Sequence, residues 1–498
     1  MSVWVSRLCL AIGLWLVVGF SAEWAQASRS AGDGLTPRDA WAFSRRVGFD
    51  SGVVGQPGSV SRRSFVELVD AEVDAAAGHT VADTSPPDWV NEPIAERFPD
   101  VGLTPEQRQE RVRQLRPRVA ELQAWWMQEM LDTPTPLAER MTLFWSNRFT
   151  SSFQSVRWMQ LMYRQNVMLR RNALGNYRAL LHEVIRDPAM VTYLNGQQNR
   201  KQSPNENFAR ELLELFTLGE GHYSEIDVQQ AARAFTGWKV VPPGIAELNP
   251  RQFDGGRKTF LGQSGNFDGD DIVDLILEQP RAAEFVVENL WREFVSPTPD
   301  ARVVAGLARD FRRDWEIAPL LKALFKQPAF IEQARAGSLV KSPVELVVGT
   351  SRGLQLPIPP RQLARAADRM GQRLFGPPNV KGWPGGEEWI TSNWLLERRN
   401  FVLMITGDVP TPGKPETAGP STAPDDDRMA MAEKPAERPR RAQMLRLQRQ
   451  FGAIAEELPP LGPEAQLLAL APVQPPVEGA KPPDRLQAWL LDPVYQLK

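Results

Sequence analysis

The chain has 498 residues, 42% apolar and 24% charged, which excludes wholesale disorder and is length enough for about three domains of ~150 residues. Its 58 basic and 60 acidic side chains nearly cancel to a net charge of −2. That balance argues against a dedicated nucleic-acid binder, whose affinity rests on clustered Lys and Arg. Prolines (43) outnumber glycines (36) and are clustered, and 16 tryptophans against 5 tyrosines is an unusual aromatic choice.

The N-terminus reads as an address. Arg7 precedes an apolar run, Leu8 to Phe20, that is short for a bilayer span, and Ala25-Gln26-Ala27 comes after it as a small-x-small cleavage pattern. Residues 1–27 are therefore expected to be a Sec-type signal peptide cut after Ala27. The mature protein would be periplasmic or secreted, with no stable membrane span. An uncleaved N-terminal anchor is the alternative. Cys9 is the sole cysteine and lies inside the apolar run, so the mature chain would have no disulfide to staple it.

Helical periodicity dominates the rest of the chain. Leu115, Val119, Leu122, Trp125, Trp126 and Met130 recur at spacings of three and four, predicting an amphipathic helix from Val112 to Leu131. Further helices are expected over 137–149, 158–172 and 177–186. Ser203, Pro204 and Glu206 suggest a capping box for a helix through Phe216 that stops at Gly219; Ser224 with Asp227 opens the next. A loop-rich insert covers 238–268, with Thr259-Phe260-Leu261 as at most a hairpin edge. Asp270 or Asp271 would cap a helix from Ile272, and further helices are expected over 282–294, 302–313, 319–325, 344–354 and 363–374.

The fold expected is mainly α: a large multi-helix domain over 36–405, big enough to hold two lobes. Residues 409–441 turn to Pro, Ala, Thr, Glu and Asp, a composition that cannot offset the entropy of ordering, and should form a disordered linker. Residues 442–498 form a short helical tail, with Met444, Leu445, Phe451 and Ile454 on one face. Two short helices make no core of their own, so they either dock on the main domain or bind a partner.

The run Asn205-Glu206-Asn207-Phe208-Ala209-Arg210-Glu211-Leu212-Leu213-Glu214-Leu215-Phe216-Thr217-Leu218-Gly219 resembles the bacterial family known as domain of unknown function 1800. The resemblance continues at His222-Tyr223-Ser224-Glu225, at 231–238, at Lys258-Thr259-Phe260-Leu261-Gly262 and at Asp268-Gly269-Asp270-Asp271. It resumes at Val340-Lys341-Ser342-Pro343-Val344-Glu345 and from Phe375 to Gly386. It implies an exported helical protein and no particular reaction. It also suggests a partner, the exported domain-of-unknown-function 1501 family, which looks related to alkaline-phosphatase-like enzymes. The chain departs from the family pattern at Phe144-Trp145-Ser146-Asn147-Arg148-Phe149, where Ser146 and Arg148 replace two histidines. Phe253 likewise replaces a histidine before Asp254. His79, His182 and His222 are all that remain.

Several constellations have a chemical and a plain reading. Glu206, Arg210 and Glu214 share a helix face beside Asn207 and Glu211. They suit acid–base work or a metal completed by His222, but read better as an i, i+4 ion-pair ladder contributing ~0.2–0.5 kcal/mol per pair. His182-Glu183 lacks the second histidine of a zincin helix and reads better as a hydrogen-bonded histidine in a lobe core. Asp268-Gly269-Asp270-Asp271 lacks the ligand spacing of a calcium loop. Gly382-Trp383-Pro384-Gly385-Gly386, with Trp389 and Trp394, could be a sugar-stacking face but reads better as aromatic packing between helices. No Gly-x-Ser-x-Gly elbow occurs.

Three functional readings fit these residues. The leading one is a non-catalytic exported scaffold or partner of an alkaline-phosphatase-like protein. The second is an acid–base or metal-assisted enzyme around Asn147, Glu206, Arg210, Glu211 and His222. The third is a glycan-binding module using Trp383, Trp389 and Trp394. No cofactor and no metal site is assigned.

Overall fold

Short polar caps and prolines fix where the helices begin. Ser64, Thr104, Ser224, Asp268 and Ser342 each accept a hydrogen bond from the backbone N–H three residues on. The residue there (Glu67, Gln107, Asp227, Asp271, Glu345) accepts one in return from the cap N–H, closing five capping boxes. The structure, a computed structural model, describes residues 35–49, 64–94, 104–407, 446–447, 449–456 and 467–498. The expected signal peptide (1–27) and linker (409–441) lie outside the described residues, as does part of the 442–498 tail. Among the described residues no helix is long and apolar enough to cross a membrane.

The molecule is mainly helical, and its buried apolar side chains fall into two cores. The first gathers the helices Pro37–Val47, Phe65–Gly78, Tyr177–Val184, Glu225–Ala234, Gly269–Leu277, Pro280–Phe294, Ala301–Phe311 and Ile317–Phe325. The second gathers the C-terminal half of Pro105–Asp132 with Pro343–Gly353, Pro360–Arg369, Ser392–Thr406 and Pro482–Leu491. Three helices serve both, the short Pro188–Tyr193 giving Met190 to the first core and Ala189 to the second. Pro136–Arg148 gives Met141, Phe144 and Trp145 to the first core and Leu143 to the second; Met159–Arg171 gives Met168 and Leu169 to the first and Met159 and Met162 to the second.

The two longer shared helices are bound by buried charge. Arg170 reaches Glu139 with Nε at 2.5 Å and Nη2 at 2.9 Å, and its Nη1 donates to Asn166 at 2.8 Å. Trp126 Nε1 donates to the same Glu139 carboxylate at 2.8 Å. Burial alone would lower the pKa of Arg170, but the adjacent Glu139 carboxylate more than reverses that.

The tail docks. Leu447, Phe451 and Ala455 enter the second core, as do Leu486, Trp489, Leu490 and Tyr495. The last residues run as a strap along 339–341: Lys341 N–H donates to Gln496 C=O at 2.7 Å and Lys498 N–H to Leu339 C=O at 2.8 Å. Buried Arg398 fastens the strap by donating to Gln496 Oε1 (2.9 Å) and Lys341 C=O (2.8 Å).

Differences from the expected elements have local causes. The helix after Ser203 starts at Asn207 because Ser203 pairs back with Arg200 in an isolated bridge, and Asn205 Oδ1 receives the Asn207 N–H instead. Its second half, Leu212–Thr217, widens into a π-helix, with Thr217 Oγ1 donating to Leu212 C=O (2.6 Å) and Tyr177 donating to Phe216 C=O (3.1 Å). Asp268, not Asp270 or Asp271, caps Gly269–Leu277, since its carboxylate takes the N–H groups of both. Two antiparallel hairpins occupy the insert, Trp238–Val241 with Ile245–Leu248 and Lys258–Phe260 with Gln263–Gly265.

Removing one member of the Arg170–Glu139 pair strands the other in the interior. Arg170→Met is expected to cost about 3–5 kcal/mol in chemical denaturation, far above the effect of a surface ion pair.

Candidate functional site

Where the two cores meet, a cavity of about 420 Å³ opens between the Pro136–Arg148 helix, the end of Pro280–Phe294, the start of Pro343–Gly353, the loop around Trp383 and the terminal Lys498. Five cationic side chains line it (Arg140, Arg148, Arg292, Lys381, Lys498) against three acidic ones (Glu293, Glu345, Glu387), so positive charge is in excess.

The floor is an ion network. Glu345 Oε1 meets both Arg140 Nη1 and Lys498 Nζ, while Arg140 Nη2 also reaches Glu293 at 2.6 Å. Arg140 lies between the Phe49 and Phe294 rings, 5.8 and 5.6 Å from their centroids. Burial on its own would raise the Glu345 pKa, but the cations Arg140 and Lys498 hold it down to about 2. Burial and the neighbouring Arg140 lower the pKa of Lys498.

Arg148 differs from these. Its Nε is buried without a hydrogen-bond partner, and among the described residues its guanidinium makes no ion pair. Its packing is on the Phe144 ring, 5.8 Å away. Burial lowers its pKa to about 10, opposed by the more distant Glu293 charge, so it remains cationic at neutral pH. This is one of the positions at which the family resemblance leads to the expectation of a histidine. Ser146, at the other substituted position, does not line the cavity. Phe253, at the third, lies beneath the Lys258 ammonium, 5.3 Å from its ring centroid.

The opposite wall is the glycine-rich loop. Trp383 N–H donates to Asn147 Oδ1 at 2.7 Å, leaving the Asn147 amide NH2 as a donor. Gly382, at φ 91°, is required here: a Cβ would lie 2.2 Å from Asn147 Oδ1. Gly385 and Gly386 border open space. Gln372 accepts the Val344 N–H through Oε1 at 2.9 Å, so its amide NH2 is a further donor on the wall. Trp383 and Trp389 line the cavity but are 5% and 2% exposed, and Trp389 packs on Trp394 with centroids 5.3 Å apart.

The sequence-derived candidates separate in space. Asn147 lines the cavity, whereas Glu206, Arg210, Glu211 and His222 do not. Arg210 bridges Glu206 (3.0 Å) and both oxygens of Glu225 (2.8 Å each), a surface ladder that raises the arginine pKa and lowers that of Glu225. Partial burial and nearby Glu214 raise the pKa of Glu211, while Lys381 on the cavity rim pulls it the other way. His222 is exposed. His182 is satisfied by Asp270 (2.9 Å) and Asp274 (3.1 Å), but at the surface and not in a lobe core. Asp270 also pairs with Arg186, so Asp268-Gly269-Asp270-Asp271 is occupied by capping and ion pairing.

Sequence reasoning passed over Arg140, Glu345, Lys381 and Lys498. A signal existed: Glu139-Arg140 is a charged pair inside the otherwise apolar start of its helix, and Ser342-Pro343-Val344-Glu345 is a capping box.

These charges set two stability predictions. A depressed folded pKa means Glu345 contributes stability in full above the ordinary carboxylate range near ~4.3, and loses it as pH falls from there through the lowered folded value. Glu345→Gln should therefore be less stable at pH 7 and show a flatter decline between about pH 5 and 2 in denaturant melts. Arg210→Ala should cost less than about 1 kcal/mol in the same assay.

Searches of curated proteins and of solved structures give no match. A family model described as "Protein of unknown function (DUF1800)" matches residues 34–484, nearly the whole chain, and the protein therefore belongs to the DUF1800 family.

Proposed function

We propose that this is an exported helical binding protein whose cavity between the two cores holds a compact anionic group, a carboxylate, phosphate or sulfate. The observation that carries the reading is Arg148, a guanidinium on the cavity wall with no carboxylate bound to it among the described residues. Burying an unneutralised cation costs stability, and such a group is retained where a ligand supplies the missing charge. Lys381 on the rim and the free amide donors of Asn147 and Gln372 add further donors to the lining.

The scaffold reading is the second one, and the same lining favours it in one respect. An alkaline-phosphatase-like partner of the domain-of-unknown-function 1501 type would handle phosphate- or sulfate-bearing groups, the anions this cavity suits. The tail helices are folded onto the second core, so such a partner would engage another surface.

Calorimetric titration of the mature protein with inorganic phosphate, sulfate and small carboxylates tests the proposal. At least one should bind, and Arg148→Gln should weaken it by about 10- to 100-fold, the worth of one charge-assisted hydrogen-bond set. The variant's melting temperature should be unchanged or higher, because a partly buried unpaired charge is gone. Undiminished binding in the variant, or no anion bound at millimolar concentration, would overturn the reading.

A further inference from the structure

Away from the cavity's lining lies a second set of polar groups. His79 caps the end of the Phe65–Gly78 helix, whose Val69, Val73 and Ala76 belong to the first core. Glu129 lies near the end of Pro105–Asp132, among second-core residues, and is fully buried. Asp83 sits in the connecting loop. One ring nitrogen of His79 and one carboxylate oxygen each of Asp83 and Glu129 fall within 4.8 Å of one another.

Ordinary contacts leave this cluster incomplete. Glu129 accepts the backbone N–H groups of Asp83 (3.1 Å) and Thr84 (2.8 Å), yet among the described residues no Lys or Arg forms an ion pair with it. Arg170 is near enough to feel its charge but is committed to Glu139. His79 Nε2 is buried and makes no hydrogen bond, although Asp83 Oδ2 is only 3.2 Å away. Thr84 Oγ1, one residue on, is also buried without a partner. Orphaned buried polar atoms are few in folded proteins and each asks for a water or an ion to explain it. Two of them beside a buried carboxylate with no cation of its own favour the ion.

We propose that His79, Asp83 and Glu129 hold a divalent transition-metal ion of the zinc class, which ties the end of the Phe65–Gly78 helix to the Pro105–Asp132 helix. One imidazole nitrogen and two carboxylates are a zinc donor set, with bonds of about 2.0–2.2 Å and hence ligand separations near ~3.4 Å. The His79–Asp83 separation is already close to that value, and Glu129 needs a small closure. Asp83 is half exposed, which provides an entry path and leaves the fourth position to water. The role is structural. A chain whose one cysteine is Cys9 has no internal disulfide to join its cores, and a metal clip does the same work.

The test uses the full mature chain stripped with chelator and titrated with ZnCl2, read by a competing chromophoric chelator and by elemental analysis after desalting. One equivalent should be retained, with a rise of a few degrees in melting temperature, and Mg2+ and Ca2+ should not compete. His79→Gln and Asp83→Asn should each weaken zinc binding at least tenfold and abolish the thermal shift, while His222→Gln, at an exposed histidine, should change neither. Glu129→Gln is less informative should it fail to fold, and the two surface-side variants decide the matter without it. Substoichiometric zinc, or the same binding in His79→Gln and Asp83→Asn, would overturn the proposal and leave a His79–Asp83 ion pair with a bridging water.

Discussion

Glu345 closes its own helix by accepting the Ser342 N–H at 2.8 Å, and its other oxygen holds Arg140 and Lys498. Three stretches far apart in sequence thus converge on one buried carboxylate: the shared Pro136–Arg148 helix, the first helix of the second core's C-terminal part and the terminal strap. Desolvating these ions costs several kcal/mol each, so the arrangement holds only when every partner is in place. The strap, Arg398 and the two cores are for that reason interdependent. The same arithmetic of charge leaves Arg148 over. Its neighbours' carboxylates are already committed to Arg140 and Lys498, and the guanidinium faces a cavity instead.

Aromatic packing carries what cysteine does not. Trp126 Nε1 reaches Glu139, Trp125 Nε1 reaches Thr84 C=O, and Trp145 Nε1 reaches Ala173 C=O, so each indole fills a gap between elements and also satisfies a buried acceptor. Tyrosine offers less area per side chain for that task. Among the described residues most tryptophans are buried in packing, with Trp383 and Trp389 forming a cavity wall as part of it.

Periodicity made most of the helical framework legible, because apolar residues at three- and four-residue spacing, as in 112–131, must face a core somewhere. What sequence could not supply was the competition among local partners. Ser203 has every mark of a helix cap, yet a bridge to Arg200 takes it, and Asp268 takes the N–H groups of the very residues expected to cap. The Pro37–Val47 and Ser392–Thr406 helices escaped notice; in the second, charged Arg398 and Arg399 interrupt the apolar pattern, and Arg398 is in fact buried by the strap. The cavity was the least legible feature, since its cations come from positions 140, 148, 292, 381 and 498. Of the residues singled out from sequence, Asn147, Trp383 and Trp389 reach it, whereas Arg148, on which the functional reading now depends, stood out only as a departure from the pattern the resemblance suggests.

If Arg148 awaits an anion, a heavy oxyanion should find it. Diffraction from crystals of the protein soaked in selenate, collected at the selenium edge, tests this directly. The expected result is an anomalous peak in the cavity within hydrogen-bond distance of the Arg148 guanidinium, near Lys381 and the Asn147 amide. Selenate bound only on the outer surface, with the Arg148 side chain turned onto a protein carboxylate, would contradict it.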